Sequence, residues 1–322
     1  MSAIVALSLA LLLTPMLARL GRRMGLVDRP SGDALKIHAE PKPLTGGIGV
    51  MVATLAGAGV VGGIAPLVVA SILTLLAVGI VDDLVGLSPG VRIVAELCAG
   101  ALLAAGSAIA LVGDLGPIVI LVAVPAAANA VNIVDGQDGL AAGLAASAAL
   151  GMTAIIVAEG GTADLGLPLA ASLVAFLVWN RPPASVFLGD GGAYAVGGAL
   201  VALVALVATS SSWQPLLGAI VCMSVFILEL TSTMVRRASA RISLVSGDRT
   251  HLYDLLSARL ASRERATAVV LVAGATTAGL GWAISRLPFS AAVALAAVVG
   301  LVGVLSALAL WRLQGVGLRR PR

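Results

Sequence analysis

Residues 129–140 read NAVNIVDGQDGL and set Asn129, Asn132, Asp135 and Asp138 three apart, with Gly136 and Gly139 among them. On a helix that spacing keeps the four polar groups on about one half of the cylinder. The glycines remove side chains where something must approach closely. Capping of a following helix would account for Asp138. It does not account for Asn129 or Asn132, which lie within or beside an apolar segment where an unsatisfied amide is costly. The stretch therefore reads as a ligand site.

Three other segments carry chemistry. In VDDLVGLSPGVR, residues 81–92, Asp82 and Asp83 fall at the C-terminus of a predicted helix, where the dipole is already negative. They are either solvated turn acids or a pair whose repulsion is offset by a metal ion, a lysine or arginine, or a basic group of a substrate. In NRPPASVFLGDGGAYAVGG, residues 180–198, Asp190 is a helix cap or an oxygen ligand for Mg2+, an ion that takes one or two carboxylates plus substrate phosphates. Amides at a helix N-terminus there would suit a phosphate, and Phe187 would stack on a base or anchor the membrane interface. In SGDRTHLYDLLSARLASRER, Leu252, Leu255, Leu256 and Leu260 recur at helical spacing and predict an amphipathic helix lying on the membrane. Asp248, Arg249, His251 and Tyr253 then stand near its start, where Arg249 and His251 could hold phosphate oxygens. His38 is the only other histidine.

The elements that must position these groups follow from composition. Of 322 residues 59% are apolar and 11% charged, whereas soluble domains carry about a quarter charged residues. The fold class is an all-α polytopic membrane bundle. Apolar blocks at 1–18, 44–62, 66–81, 91–111, 117–131, 139–158, 166–179, 192–209, 215–235, 267–285 and 290–311 predict about eleven crossings, a helix needing about 20 residues to span the hydrocarbon core. The block at 166–179 is short for a crossing. With the N-terminus outside and the C-terminus inside, of the 20 lysines and arginines only Arg286 falls outside, as the retention of positive loops in the cytoplasm requires.

The chain reads as one domain over 1–322 with an inside amphipathic loop at about 236–266. The N-terminal apolar run has its arginines after it, which suits a retained first helix rather than a cleaved signal. Cys98 and Cys222 fall in predicted spans without metal-ligand spacing and receive no role. The net charge of +4 is spread along membrane edges, which points to anionic headgroups and away from nucleic acid. Asp114, Glu159 and Asp164 fall on the outside. Glu96 and Glu229 lie within spans near the inner ends and are expected to pair with Arg92 and with Arg236 and its neighbours. All four segments, and most of the acids, face the cytoplasm.

The order VDD, NAVNIVDGQDGL, FLGDGG and a histidine-containing inside loop, with Pro43, Gly46 and Gly47 opening the second span, resembles the polyprenyl-phosphate N-acetylhexosamine-1-phosphate transferases over roughly residues 1–311. Each motif alone means little; the ordered set is specific. The resemblance implies transfer of a sugar-1-phosphate from a UDP-sugar to a polyprenyl phosphate of the plasma membrane, with release of UMP. It implies Mg2+ as cofactor, with Mn2+ as a substitute, and a homodimer as the assembly. By position Asp190 matches the metal-binding aspartate, Asn132 an asparagine near or on the metal, and Asp82 and Asp83 the essential acidic pair. Asp138, Asn180 and Phe187 match the uridine neighbourhood, and Asn129 and His38 are grouped with them as substrate-binding. Asp135 joins Asp82, Asp83, Arg249 and His251 in the catalytic set. One departure is plain: the family's His-x-His-His cluster is here His251-Leu252-Tyr253-Asp254.

A phosphate monoester has its second pKa near 6 and is mostly dianionic at neutral pH. A general base would add little, so the acidic pair is expected to position groups and bind metal. The rival readings are a transporter or flippase and a catalytically silent family member. A transport path would put polar groups near the midplane and on both sides; here they gather on one.

Overall fold

The computed structural model describes residues 1–30, 40–107, 110–209, 212–243 and 248–313. His38 lies outside them. Every predicted apolar block contains a helix. The helices are α1 (Ser2–Met24), α2 (Gly46–Gly59), α3 (Pro66–Val85), α4 (Pro89–Ala105), α5 (Gly116–Val134), α6 (Leu140–Ala158), α7 (Gly166–Asn180), α8 (Gly189–Val207), α9 (Trp213–Cys222), α10 (Ser224–Ala240), α11 (Leu252–Leu260), α12 (Arg263–Ser285) and α13 (Phe289–Leu313). A two-residue ladder pairs Val27 with Pro43 and Asp28 with Lys42, antiparallel, ahead of α2.

Helix starts follow local chemistry. Pro66 and Pro89 open α3 and α4, where proline's missing N–H costs nothing because that amide has no intrahelical partner. Gly25 and Gly86 close α1 and α3 in left-handed conformation, the usual way a helix end satisfies its last carbonyls.

Among the described residues, seven helices are long and apolar enough to cross a bilayer: α1, α3, α5, α6, α8, α12 and α13. The predicted block at 215–235 is not one straight rod. It bends by 64° between α9 and α10, next to Met223, and makes an eighth crossing only if the pair is taken as one broken span. The remaining blocks form α2, α4 and α7, of 14, 17 and 15 residues. At 1.5 Å per residue these reach only about 21 to 26 Å. The chain is thus an all-α polytopic membrane protein.

Burial ranks the helices. Along their apolar windows α8 is 83% and α6 78% buried, against 6% for α13, so α8 and α6 form the axis and α13 the rim. Their sequences explain it: GDGGAYAVGGALVALVALV and LAAGLAASAALGMTAIIVA are dominated by Gly and Ala, which let neighbouring backbones approach where dispersion and close packing must hold helices together in lipid. Helices α3, α5, α6 and α2 pack around α8. At Gly79 of α3 a methyl would collide with the backbone of Asp190 and Gly191, so glycine there is what brings α3 against the start of α8.

The predicted amphipathic helix exists as α11, but its apolar face is covered by protein. Leu252 and Leu255 pack with Ala307, Leu228, Leu310 and Trp311 of α13 and α10. At the other end of the bundle, Arg286 pairs with Glu159 at 3.2 Å, joining two of the four charged residues expected on the outer side.

Candidate active site

The ends of α3, α5 and α7 and the starts of α4, α6 and α8 meet at one end of the bundle. Asp190, in the first turn of α8, does not cap its own helix. Asp83 of α3 does that instead, its carboxylate accepting from Asp190 N at 3.2 Å and Gly191 N at 3.4 Å. A negative group at a helix N-terminus satisfies orphan amides and meets the positive end of the dipole. Asp82, 8% exposed, is held differently. It accepts from Leu87 N at 2.7 Å, from Tyr194 Oη at 2.7 Å and from Arg92 Nη1 at 3.3 Å. The mutual repulsion of the acidic pair is therefore offset by protein groups: an arginine, a tyrosine and backbone amides. Neither acid is a solvated turn residue.

The spacing of three along 129–138 does not produce four equivalent groups. Asn132 donates to Asp190 Oδ1 at 2.6 Å, joining α5 to α8 and leaving its own Oδ1 without a protein hydrogen bond among the described residues. Asn129, one turn deeper, donates to Glu96 Oε2 at 2.8 Å and Pro125 O at 2.9 Å. Glu96, fully buried, thus bonds an amide where an ion pair with Arg92 was expected. Asp138 is not the cap of α6. The cap position is Gly139, and Asp138 Oδ2 accepts from Ala184 N at 2.8 Å, tying this loop to the turn after α7.

Asp135 stands apart. Among the described residues its carboxylate has no hydrogen-bond donor, although it is recessed among protein atoms. Burial pushes its pKa well above the usual carboxylate range, and the negative charges of Asp190, Asp83 and Asp138 push the same way.

The 180–188 turn is held by Asn180, 3% exposed, whose Oδ1 accepts from Gly139 N at 3.0 Å and whose Nδ2 donates to Val186 O at 3.0 Å. Both ends of this amide are engaged by backbone, so Asn180 ties the turn after α7 to the start of α6. Phe187 is half-buried; its amide donates to Pro43 O at 2.9 Å and its carbonyl accepts from Gly46 N at 3.0 Å. The Pro43-Gly46-Gly47 motif thus docks α2 onto the turn that leads to Asp190.

On the inside segment, Asp248 binds Arg236 at 2.6 Å, Arg237 at 3.0 Å and the Thr250 amide at 3.1 Å. Burial alone would raise its pKa, but these donors outweigh burial and hold it below the usual range. Glu229, expected to pair with Arg236, instead accepts from the amides of Leu252 and Tyr253 at 3.1 and 3.0 Å and caps α11. His251 is the N-cap residue of α11, 6% exposed, with Nδ1 3.0 Å from Thr233 Oγ1. Burial, with Arg237, Arg236 and Arg249 nearby, outweighs the pull of Asp248 and lowers its pKa to about 4. The ring is neutral at pH 7 and braces the start of α11 against Thr233 of α10, while Arg249 Nη1 donates to Gly136 O at 3.0 Å.

Sequence reasoning missed Tyr194 and the use made of Arg92. Tyr194 was findable: it is one of two tyrosines and lies four residues, one helical turn, after Asp190. Among the described residues no three His, Cys, Asp or Glu side chains form a ready metal cage. Mg2+ does not need one, since it keeps waters and substrate phosphates in its shell. The hard oxygen donors at hand, on Asp190, Asp135 and Asn132, fit that ion.

Residues 65–209 match the family model described as glycosyl transferase family 4, a stretch that holds α3 to α8 and every site residue except those of the inside segment and His38. A probable undecaprenyl-phosphate N-acetylglucosaminyl 1-phosphate transferase of Bacillus subtilis is 28% identical over 301 residues, covering 84% of this chain and 80% of that protein. The phospho-N-acetylmuramoyl-pentapeptide-transferases of Frankia casuarinae and Mycolicibacterium smegmatis are 33% and 30% identical, covering 74% and 72% of this chain and 82% and 81% of their own lengths. With motifs, membrane helices and alignment in agreement over most of its length, this chain belongs to the family of polyprenyl-phosphate N-acetylhexosamine-1-phosphate transferases.

Proposed function

We propose that the protein transfers N-acetylhexosamine-1-phosphate from a UDP-sugar to a polyprenyl phosphate. An oxygen of the lipid phosphate attacks the sugar-bearing phosphorus of the nucleotide. The bond from that phosphorus to the bridging oxygen breaks, UMP leaves, and a polyprenyl-pyrophosphoryl sugar remains, the first membrane step of a cell-surface glycan.

The observation that carries this reading is the meeting of Asn132 and Asp135, at the end of α5, with Asp190, at the start of α8, where Asp135 has no hydrogen-bond donor among the described residues and feels the negative charges of Asp190, Asp83 and Asp138. Such a cluster is unfavourable alone and suits a cation carried in with a pyrophosphate. Asp190, Asn132 and Asp135 would hold Mg2+, with Mn2+ as a substitute. When bound, the ion supplies neutralisation of charge on the pyrophosphate and the departing UMP.

The protein's own groups do the rest. Asp83 fixes the first turn of α8 and with it the direction of Asp190. Asn132 orients the Asp190 carboxylate through Nδ2. Asp82, with three donors, is a brace between α3, α4 and α8. Asp138 and Asn180 build the wall beside Phe187, whose ring offers a stacking face for uracil. Arg249 brings positive charge to the Asp135 loop. The attacking phosphate is already dianionic at neutral pH, so none of these acids is asked to remove a proton.

The same reading carries the topology: about eleven crossings, N-terminus outside, C-terminus inside, and the active end in the cytoplasm, where the UDP-sugar is. The distribution of lysine and arginine supports it, as does the gathering of site residues at alternate helix ends. A homodimer belongs to this reading and is checked by native mass spectrometry. To test the function, purified protein in nanodiscs is given Mg2+, polyprenyl phosphate and a panel of UDP-sugars, and UMP is measured. UMP release with an N-acetylhexosamine donor is expected; no UMP with any donor overturns the proposal.

A further inference from the structure

The loop that carries Asp135 is clasped from the inside segment. Tyr253 Oη donates to Ile133 O at 2.9 Å, and Arg249 Nη1 donates to Gly136 O at 3.0 Å. These carbonyls belong to the end of α5 and the turn after it, where no further helical turn supplies donors. Ile133 directly follows Asn132 and precedes Asp135 by two residues. Tyr253 is itself firmly held: it is 2% exposed, its ring stacks on His251 with centroids 5.4 Å apart and 15° between planes, and its amide is fixed by Glu229. A buried hydroxyl is costly unless it is hydrogen-bonded, so a Tyr253 kept inside the bundle keeps this contact.

Gly136 carries the second half of the argument. Its φ is not in the left-handed region, so the turn does not demand glycine. Space does: a methyl at Gly136 would run into Tyr253 Oη. The sequence leaves a hole in the active-site loop whose occupant is the hydroxyl of a residue more than a hundred positions away.

We infer that Tyr253 is a positioning residue for the transfer reaction, its hydroxyl fixing the end of α5 so that Asn132 and Asp135 keep their alignment with Asp190. It touches neither nucleotide nor lipid. Its effect on rate rests on the transferase reading; its effect on the loop does not.

The test uses full-length protein in nanodiscs and three variants: Tyr253→Phe, Gly136→Ala and the double variant. For Tyr253→Phe, loss of one hydrogen bond should raise amide exchange over 133–138 roughly tenfold, with the thermal midpoint and the exchange of α9 near wild type. The kcat should fall roughly tenfold, as small misplacements of reacting groups do, while KM for the UDP-sugar stays within about twofold. Gly136→Ala alone should also disturb the loop, and the double variant should be no worse than Gly136→Ala, because Tyr253→Phe removes the atom the new methyl meets. Gly136→Ala displaces the same hydroxyl from the other side and carries the test if Tyr253→Phe does not purify. Wild-type exchange and kcat in Tyr253→Phe, or additive effects of the two substitutions, would overturn the inference. A wild-type protein that releases no UMP overturns the transferase reading alone; amide exchange over 133–138, and the coupling of Gly136→Ala with Tyr253→Phe in that exchange, then still decide the role of the hydroxyl.

Discussion

Asp83→Asn separates positioning from base catalysis. The substitution keeps the shape of the side chain and removes its charge. In the native protein both carboxylate oxygens face amides, Asp190 N at 3.2 Å and Gly191 N at 3.4 Å. An asparagine can accept from one of them and must turn an NH2 toward the other. One charge-assisted hydrogen bond is lost, worth about 1.5 to 3 kcal/mol and nearer the lower figure at these lengths, and the attraction of a charge to the α8 N-terminus goes too, worth about 0.3 to 1 kcal/mol. The sum is roughly 2 to 3 kcal/mol. If about half reaches the transition state through a displaced Asp190, kcat falls roughly tenfold, since 1.4 kcal/mol is a factor of ten. The assay is initial-rate UMP release at saturating substrates from pH 6 to pH 9, with the thermal midpoint measured in parallel. Positioning predicts a loss of similar size at every pH and a lowered midpoint. A loss that disappears at high pH, with an unchanged midpoint, would refute the argument and make Asp83 a base.

Asn180→Ala should cost about 2 to 4 kcal/mol in unfolding free energy, because it leaves the Gly139 amide and the Val186 carbonyl buried without partners; a shift of only a few tenths in detergent-based unfolding would contradict the clamp. His251 makes a pH prediction with a definite sign. Its folded pKa of about 4 lies below the ordinary 6.5, so the folded state prefers the neutral ring. The stability it contributes is whole above pH 6.5 and is lost as pH falls toward 4, by up to about 3 kcal/mol. Wild type should therefore lose more stability than His251→Gln between pH 6.5 and 4, and parallel curves would refute the assignment. Chelation with EDTA should abolish UMP release, with recovery on adding Mg2+ or Mn2+; full activity in EDTA would remove the cation from the proposed function.

Much of the architecture was readable because lipid makes patterning blunt: an apolar run bounded by arginines has few alternatives to a helix. Block edges came within several residues of α1, α3, α6 and α12. The break at Met223 was hidden because no proline or glycine marks it; neighbouring side chains remain apolar through the bend. The site was legible as a set of segments but not as a set of contacts. Asp190 was recognisable from its place before GG, yet that Asp83 caps its helix depends on Gly79 letting α3 approach, a pairing with no signal in spacing. Glu96 and Glu229 were assigned to nearby arginines because charge is visible in a sequence. Their actual partners, an amide on α5 and the backbone start of α11, are not. His251 was read as a phosphate contact because histidine can ionise near neutral pH, whereas burial decides whether it does.

The shortness of α2 has a consequence for how the site is held. Its 14 residues begin where Gly46 and Gly47 bond to the carbonyls of Phe187 and Leu188, on a rod about 21 Å long in a hydrocarbon layer about 30 Å thick. Nine of those residues are buried, with α1, α7 and α8 packed against the helix. Protein contacts therefore fix its depth, and the turn before Asp190 takes its height from the bundle and not from the bilayer.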